Sequence, residues 1–418
     1  MSRKTMIRVV VCVLAAAVGL GTLAATAQDK DARKPVAALV ADWFPRSHPD
    51  VIFKRVLATY SLDGKGEPSK LRIVSMYRDK PGEKDMGAAL AKQYDFKIVN
   101  GVADALTLGT GKLAVEGVLL STEWASYPES PTGAIMYPHR QMFAEIVKVF
   151  QASGRVVPVF IDKHLADTWD DSKWIYDTAK EMKIPLMAGS SLPVSWRRPA
   201  VDVRKDAPLK EIVGVSYHTL TGYGFHGLEM TQTLAERRKG GETGVKSVQC
   251  LTGKAVWDAE GKLYDKELLD AAMARTGKKL PEGKTLRDVV AEPTLFVIDY
   301  YDGLRVNVFT LNFFVTQWSA AWRYADDNKV ESTLFALQEE PPFNHFAAQM
   351  KGVEEMILTG KPTWPVERTL LTSGILDAAL ISKKDGGKKI DTPYLKLSYT
   401  CDWPWRQPVD PASQPAAK

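Results

Sequence analysis

Two separate stretches of the sequence carry residues that could move protons. Lys163 and His164 closely follow the apolar run at residues 156–161, and His226 lies in the stretch YGFHGLEM at residues 223–230. Lysine and histidine exchange protons near neutral pH when burial or a neighbouring charge shifts their pKa values. If the two stretches meet in space, an amine and an imidazole would converge in one crevice.

Each of these residues also has a purely structural explanation. A lysine at the end of a strand can simply reach solvent, and a histidine among aromatic residues can be a hydrogen-bonded core group. His164 and His218 are further candidates, as pocket walls or metal ligands, but no spacing of Cys and His is typical of a zinc site. We therefore predict no metal site.

The sequence up to residue 193 predicts alternating strands and helices. Continuous apolar runs separated by helical stretches are typical of a parallel sheet that is covered on both faces. The predicted strands are residues 36–40, 71–77, 96–99, 116–122, 156–161 and 185–190, and the predicted helices are residues 48–59, 84–94, 141–153 and 169–183. Asp167 or Thr168 would cap the last of these helices. Lys163 would then lie at the carboxyl end of a strand, where open α/β sheets bind their ligands.

From residue 194 the strand-like runs become longer and alternate more, which indicates an antiparallel sheet with one buried face. These runs are residues 211–220, 247–253, 294–303, 304–314 and 331–338, and helical stretches follow at residues 343–359 and 365–384. Asp302 and Gly303 predict a hairpin turn between two of the strands. The charged insert at residues 258–292 predicts a peripheral helix and loop.

Together these patterns predict an α/β protein with two domains, as its 418 residues allow. An N-terminal doubly wound parallel-sheet (Rossmann-like) domain would span residues 34–193. A C-terminal α+β domain with an open, mainly antiparallel sheet would span residues 194–360. Residues 361–400 would add a C-terminal helix and strand that pack back on the domains. Residues 404–418, rich in Pro, Ala and Gln, are predicted to be disordered.

Residues 1–27 have the pattern of a secretory signal peptide: a basic start, an apolar run and a small-residue cleavage site. We therefore expect a periplasmic or secreted protein with no membrane span after cleavage, whether export uses the general or the twin-arginine route. Cleavage removes three basic and no acidic residues, so the formal net charge falls from +5 to about +2. This balance gives no reason to expect nucleic-acid binding. Cys250 and Cys401 would remain, either paired or free.

Three stretches together resemble the Gfo/Idh/MocA oxidoreductases over residues 34–395. The first, VFIDKHLADTWDDSKWIYDTAKEMKIPLMAGSS at residues 159–191, is similar to the family stretch in which a strand ends in Glu-Lys-Pro and a helix leads to a Met-x-Gly strand. The second, YGFHGLEM, is similar to the family's Gly-x-His-x-x-Asp element. The third, residues 356–393, is similar to the helix that follows a Gly-x-Pro near the C-terminus.

The resemblance implies hydride transfer between a nicotinamide cofactor, NAD or NADP, and a sugar or polyol. By position, Lys163 would touch both cofactor and substrate, and His226 would act as the acid or base toward the substrate hydroxyl. The substrate would also contact His164, Tyr217, Tyr223 and Glu229. In this chain His164 stands in place of the family's Pro, and Glu229 in place of its Asp. The resemblance also implies a homo-oligomer that pairs through the open sheet.

The turn after the first strand departs from the family's Gly-x-Gly-x-x-Gly pattern, because its three glycine positions hold Val40, Asp42 and Pro45. A carboxylate repels a diphosphate, and a proline lacks the N–H group that would bind one. By position, the cofactor would be held by Asp42, His48, Arg78, Glu123 and Lys163.

Our leading hypothesis is an exported oxidoreductase with a tightly bound nicotinamide cofactor. The alternative is a cofactor-free or non-catalytic relative that binds carbohydrate or a protein partner. A third possibility is hydrolysis or elimination on a sugar, in which His226 acts with Glu123 or Glu229 and no redox cofactor is needed.

Overall fold

Two β-sheets and the helices around them make up residues 32–312 and 314–409, the part of the chain that this computed structural model describes. The predicted signal peptide at residues 1–27 and the last nine residues of the predicted tail lie outside these ranges. Within them, no helix is long and apolar enough to span a membrane.

The first sheet is parallel and has the strand order β3-β2-β1-β4-β5-β6. Its strands are β1 (Lys34–Val40), β2 (Leu71–Arg78), β3 (Lys97–Val99), β4 (Gly117–Ser121), β5 (Val159–Asp162) and β6 (Leu186–Gly189). Every neighbouring pair runs in the same direction. This order confirms the doubly wound parallel sheet. It also places β1 beside β4, where the winding reverses and where such sheets bind ligands.

Five α-helices accompany the first sheet. They are α1 (Lys54–Leu57), α2 (Gly87–Tyr94), α3 (Val102–Thr107), α4 (His139–Ser153) and α5 (Trp169–Glu181). The predicted helix at residues 48–59 is shorter in the structure, because a π-helical turn at Pro49–Phe53 precedes α1. Thr168 caps α5, since its hydroxyl oxygen accepts a hydrogen bond from the Asp171 N–H group at 3.2 Å.

The second sheet has eight strands in the order β14-β9-β10-β11-β8-β12-β13-β7. They are β7 (Trp196–Arg198), β8 (Leu209–Ser216), β9 (Val245–Thr252), β10 (Thr294–Tyr300), β11 (Arg305–Thr310), β12 (Trp318–Tyr324), β13 (Val330–Ala336) and β14 (Ile390–Asp391). All neighbouring pairs are antiparallel except β8 with β11, which confirms a mainly antiparallel sheet. The predicted hairpin turn joins β10 to β11, and Gly303 has a φ of 92° there.

Six α-helices accompany the second sheet. They are α6 (Phe225–Ala235), α7 (Lys254–Asp258), α8 (Lys266–Arg275), α9 (Leu286–Val289), α10 (His345–Thr359) and α11 (Glu367–Lys384). Apolar side chains of α6 and α11 pack on one face of the sheet, as Leu228 and Leu371 do. Leu268 of α8 packs on the other face, against Val213 and Phe309. The prediction of one buried face was therefore wrong, because the insert that carries α7 to α9 covers the second face.

The C-terminal segment is held against the first strand of the second sheet. The indole N–H of Trp405 donates to the Ser195 carbonyl at 3.1 Å, and the Arg197 N–H donates to the side chain of Gln407 at 3.0 Å. The disorder predicted from composition therefore does not extend to residues 404–409, because these hydrogen bonds hold them. Cys250 and Cys401 are both free and buried, so they do not pair.

Candidate functional site

A buried ion pair lies at the carboxyl ends of two neighbouring strands of the first sheet. Lys163 follows β5, Glu123 follows β4, and Lys163 Nζ is 3.2 Å from Glu123 Oε2. Both side chains are almost fully buried, with 2 % and 3 % of their surface exposed. Burial raises the pKa of Glu123 above its ordinary value, and the positive charge of Lys163 acts in the opposite direction.

His164 connects this strand end to the segment that precedes α6. Its Nε2 atom is 2.5 Å from the Thr221 carbonyl oxygen, so the ring donates its Nε2 proton there. The ring centre lies 4.4 Å from that of Phe225, the first residue of α6. Burial and the charge of Lys163 lower the pKa of His164 to about 3, which keeps the ring neutral at pH 7. The Lys163–His164 peptide bond is cis.

A π-helical turn, Leu220–Gly224, lies beside the Lys163 ammonium group and leads directly into α6. A Cβ atom added to Gly222 would lie 3.6 Å from Lys163 Nζ. The absence of a side chain at Gly222 therefore keeps space open beside the ammonium group.

His226 lies in the first turn of α6 and is half-buried. Its Nδ1 atom is 2.5 Å from the hydroxyl oxygen of Ser190, which follows β6. Burial lowers the pKa of His226 well below its ordinary value, and the charge of Lys163 lowers it further. The imidazole is thus neutral at pH 7, with Nδ1 taken by Ser190 and Nε2 left for another partner. Lys163 and His226 thus lie near the same segment, since Leu220–Gly224 lies beside the Lys163 ammonium group and leads into α6. That the two side chains act on one ligand stays a prediction.

Several aromatic rings pack close to the His226 ring. The Trp318 ring, at the start of β12, is stacked on Tyr223 with ring centres 5.4 Å apart, and it lies 4.5 Å from the ring of Tyr217. The His226 ring centre lies 5.9 Å from Trp318 and 6.1 Å from Tyr223. His218 packs on Tyr223 at 4.6 Å. These rings offer flat apolar surfaces beside a neutral base.

Another hydrogen-bonded group lies at the same edge of the first sheet. His48 Nδ1 is 2.5 Å from Asp162 Oδ2, which also accepts a hydrogen bond from Ser121 Oγ at 2.9 Å. Burial alone would raise the pKa of Asp162, but the neighbouring His48 holds it below its ordinary value. The His48 ring meets the exposed Trp124 edge-on at 6.3 Å. His48 and Glu123 thus lie with Lys163 at the carboxyl ends of β4 and β5.

Glu229 does not share the aromatic space with His226. It is buried, its Oε1 atom accepts a hydrogen bond from Thr372 Oγ1 at 2.8 Å, and its Oε2 atom accepts one from the Ser190 N–H group at 3.3 Å. The carboxylate thus ties α6 to α11 and to the end of β6. Its observed contacts are structural and are not those of a substrate ligand.

Asp42 and Arg78 lie together next to a third residue, Asp85. Arg78 forms an ion pair with Asp85, and burial together with a hydrogen bond to Asp85 raises the pKa of Asp42. This cluster follows β1, at the position where the resemblance implies the diphosphate of a dinucleotide. A diphosphate needs free N–H donors and small residues there, whereas two carboxylates occupy the position. The residues present do not fit the diphosphate.

Several residues of the site were not found from the sequence. Trp318 lies in a strand that the sequence analysis did not recognise, and Ser190 has no motif of its own. His139 is also buried near this edge, with Nε2 2.8 Å from Thr122 Oγ1, and burial lowers its pKa to about 4. Asp85 lies in an irregular loop, so its pairing with Arg78 left no periodic signal.

A separate groove, with a volume of about 1600 Å³, lies between α10 and the C-terminal segment and includes Tyr60, Trp364 and Trp403. None of the predicted site residues lines it. The groove is therefore separate from the residues around Lys163 and His226, which the proposal below calls the Lys163–His226 cleft.

No protein-family model matches the sequence, and no curated protein matches it. Solved structures do share its fold. GenD2 from gentamicin A biosynthesis, solved in complex with NAD, is 14 % identical with a TM-score of 0.55, over 86 % of this chain and 96 % of that one. A putative myo-inositol dehydrogenase from Sinorhizobium meliloti is 13 % identical with a TM-score of 0.52, over 86 % and 99 %. Myo-inositol dehydrogenase from Lactobacillus casei, in complex with NAD(H) and myo-inositol, is 10 % identical with a TM-score of 0.52, over 89 % and 99 %. The chain has the two-sheet fold of the Gfo/Idh/MocA-type dehydrogenases.

Proposed function

We propose that the protein binds a sugar or polyol in the Lys163–His226 cleft and moves a proton at one of its hydroxyl groups. The observation that carries this proposal is a buried ammonium group at the end of β5, beside the turn that leads into α6, whose first turn carries a neutral imidazole. A proton acceptor and a fixed positive charge on one side of a cleft are what removal of a hydroxyl proton requires.

Each side chain then has a distinct role. His226 accepts the proton through Nε2 in the tautomer whose Nδ1–H donates to Ser190 Oγ. Lys163 holds the substrate oxygen and stabilises the charge that develops on it, and Glu123 fixes the position of the ammonium group. Tyr217 and Tyr223 stack on the apolar face of a sugar or cyclic polyol.

The structures that share the fold support this substrate class. GenD2 was solved in complex with NAD, and the Lactobacillus casei enzyme in complex with NAD(H) and myo-inositol. Hydride transfer, the reaction that the resemblance implies, would need a nicotinamide cofactor in addition to the cleft. His226 would take only the hydroxyl proton in that reaction, and deprotonation without a hydride acceptor forms no product.

A second candidate function is carbohydrate binding without catalysis, and the carboxylates after β1 favour it. Asp42 and Asp85 occupy the diphosphate position, so a relative that has lost its cofactor could keep the aromatic cleft as a binding site. The two candidates differ in whether a bound sugar or polyol is converted.

The test is a panel of sugars and polyols, including myo-inositol, screened for binding by ligand-observed NMR. Every binder is then incubated with the protein, with and without NAD⁺ or NADP⁺, and products are identified by mass spectrometry. The His226→Asn variant, whose amide can still bond to Ser190, is expected to lower kcat by about 100-fold and to change KM little. Equal activity in this variant would contradict the proposed role, and binding without conversion would favour the second candidate.

We also propose that the protein is exported and cleaved after Ala27, which rests on the signal pattern of residues 1–27. N-terminal sequencing of the protein recovered from the periplasm or the medium of a bacterial host should then begin at Gln28. An intact N-terminus on the active protein would contradict this proposal.

A further inference from the structure

We infer that the turn after β1 is closed to the diphosphate of a dinucleotide, so that the sugar or polyol of the proposed function binds at the Lys163–His226 cleft without a nicotinamide cofactor bound at the turn. Three features of the turn support the inference: three of its backbone donors are occupied, its space is filled and its cationic groups are already paired with carboxylates.

Three backbone donors of the turn already have partners within the chain. The Trp43 N–H donates to Asp85 Oδ2 at 3.2 Å, the Phe44 N–H donates to Ser47 Oγ at 3.2 Å, and the Arg46 N–H donates to Asp50 Oδ2 at 2.9 Å. Pro45 has no N–H group to offer. A diphosphate bound here would have to displace these partners, whereas a glycine-rich turn presents its N–H groups free.

The loop that follows β2 packs directly on the turn. The N–H groups of Asp79, Lys80 and Met86 donate to the carbonyl oxygens of Val40, Ala41 and Trp43, at 2.9, 2.8 and 2.6 Å. A Cβ atom added to Gly82 of this loop would lie 3.0 Å from Asp42 Oδ2. The side chain of Trp43 is fully buried beneath. Loop and turn therefore form one packed unit with little room between them.

The charge of this unit opposes a diphosphate. Asp42 and Asp85 lie close enough for a hydrogen bond between their carboxyl groups, and the nearby guanidinium of Arg78 is already paired with Asp85. Asp50 adds a third carboxylate at the start of the π-helical turn, where it accepts from the Arg46 N–H group and pairs with Lys54 Nζ at 3.2 Å. Asp79, at the end of β2, has both oxygens taken, since Tyr77 and Tyr127 donate to them at 3.0 and 2.8 Å.

The experiment begins with the full-length protein purified without added nucleotide. The protein is denatured, and the supernatant is assayed for NAD(H) and NADP(H) by mass spectrometry. NADH, NADPH and ADP-ribose are then titrated into the native protein at low ionic strength by calorimetry. We expect no released nucleotide and no binding up to about 1 mM. Stoichiometric nucleotide, or a micromolar Kd, would overturn the inference.

Matched variants test whether any nucleotide binding that is observed takes place at the turn after β1. Asp42→Asn and Asp85→Asn each remove one carboxylate from the cluster, and Glu83→Gln removes an exposed one from the same loop as a control for net charge. With the donors and the loop unchanged, we expect all three to remain without nucleotide binding. If a diphosphate does use the turn, the two cluster variants should bind about tenfold more tightly than the control. Asp42→Asn leaves the Arg78–Asp85 pair intact, so it also serves if Asp85→Asn folds poorly.

This inference and the proposed function can fail separately. A nucleotide bound at the turn would overturn the inference while leaving the sugar or polyol site in place. Failure of every sugar and polyol to bind to nucleotide-free protein would overturn the proposed function and would leave the closed turn unaffected.

Discussion

At the scale of single residues, the buried Lys163–Glu123 ion pair fixes the position of the ammonium group at the end of β5. Both groups are removed from water, so each charge depends on the other for compensation. A lysine that is held in this way keeps its ammonium group fixed at the end of β5, beside Gly222. In the proposed function Glu123 acts only by positioning Lys163.

Replacing one member of this pair should cost much more stability than replacing both. Lys163→Met leaves the Glu123 carboxylate buried without its partner, and we expect a loss of about 3–5 kcal/mol in the free energy of unfolding. The double variant Lys163→Met with Glu123→Gln should recover most of that loss, because no uncompensated charge remains. Urea denaturation at pH 7 measures both values, and a double variant no more stable than the single one would show that the pair is not coupled.

Buried neutral histidines should make the protein less stable in mild acid. Burial lowers the pKa values of His139 to about 4, and of His164 and His345 to about 3, whereas in the unfolded chain they titrate near their ordinary value. Between pH 6.5 and about 4 the unfolded chain therefore binds more protons than the folded one, and stability falls as the pH falls. Asp167, whose pKa burial raises to about 8, acts in the opposite direction.

His345 allows this effect to be measured apart from the cleft. The His345→Gln variant removes one buried histidine, so the slope of stability against pH between 6.5 and 4 should fall by about 1.4 kcal/mol per pH unit. Urea denaturation of both proteins at several pH values gives the two slopes. Parallel slopes would mean that His345 is already protonated, or exposed, in the folded protein.

At the scale of elements, the turn Leu220–Gly224 lies next to the Lys163 ammonium group. A methyl group on Gly222 would lie 3.6 Å from Lys163 Nζ and 3.1 Å from Thr219 Oγ1. It would occupy the space that a substrate oxygen needs at hydrogen-bonding distance from the ammonium group. We expect Gly222→Ala to weaken ligand binding by about tenfold, or about 1.4 kcal/mol, with little change in unfolding temperature.

Gly101 provides the matched control for that variant. Its φ is −161°, and an added Cβ atom would meet nothing within 4 Å, so Gly101→Ala should leave binding unchanged. Calorimetry with the ligand found in the sugar and polyol screen compares the two variants. Equal binding by both would show that substrate does not pass Gly222.

The elements also show which parts of the fold could be predicted from the sequence. Apolar runs and helix signals predicted all six strands of the first sheet, because buried parallel strands have a strong pattern. The second sheet was predicted less completely, since β12 contains Ser319, Ala320 and Ala321, which have low strand propensity. Trp318 was missed with it. Lys163 and His226 could be identified by type, but their meeting depends on how the two sheets pack, which no local pattern encodes.

At the scale of the whole molecule, the insert that carries α7 to α9 changes what the second sheet can bind. The resemblance implied that this sheet pairs with another copy through its open face. In the structure that face is covered by apolar side chains of the insert, among them Trp257, Leu268 and Leu269, which pack on Val213 and Phe309. The surface that a second copy would need is therefore already buried within one chain.

We therefore expect the protein to be a monomer in solution. Light scattering coupled to size-exclusion chromatography should give the mass of one chain, unchanged over a series of protein concentrations, because no apolar face of the second sheet is left to drive association. A stable dimer or tetramer at micromolar concentration would contradict this expectation and would require an interface other than the covered face. Residues of the insert that become protected from hydrogen exchange only at high concentration would locate that interface.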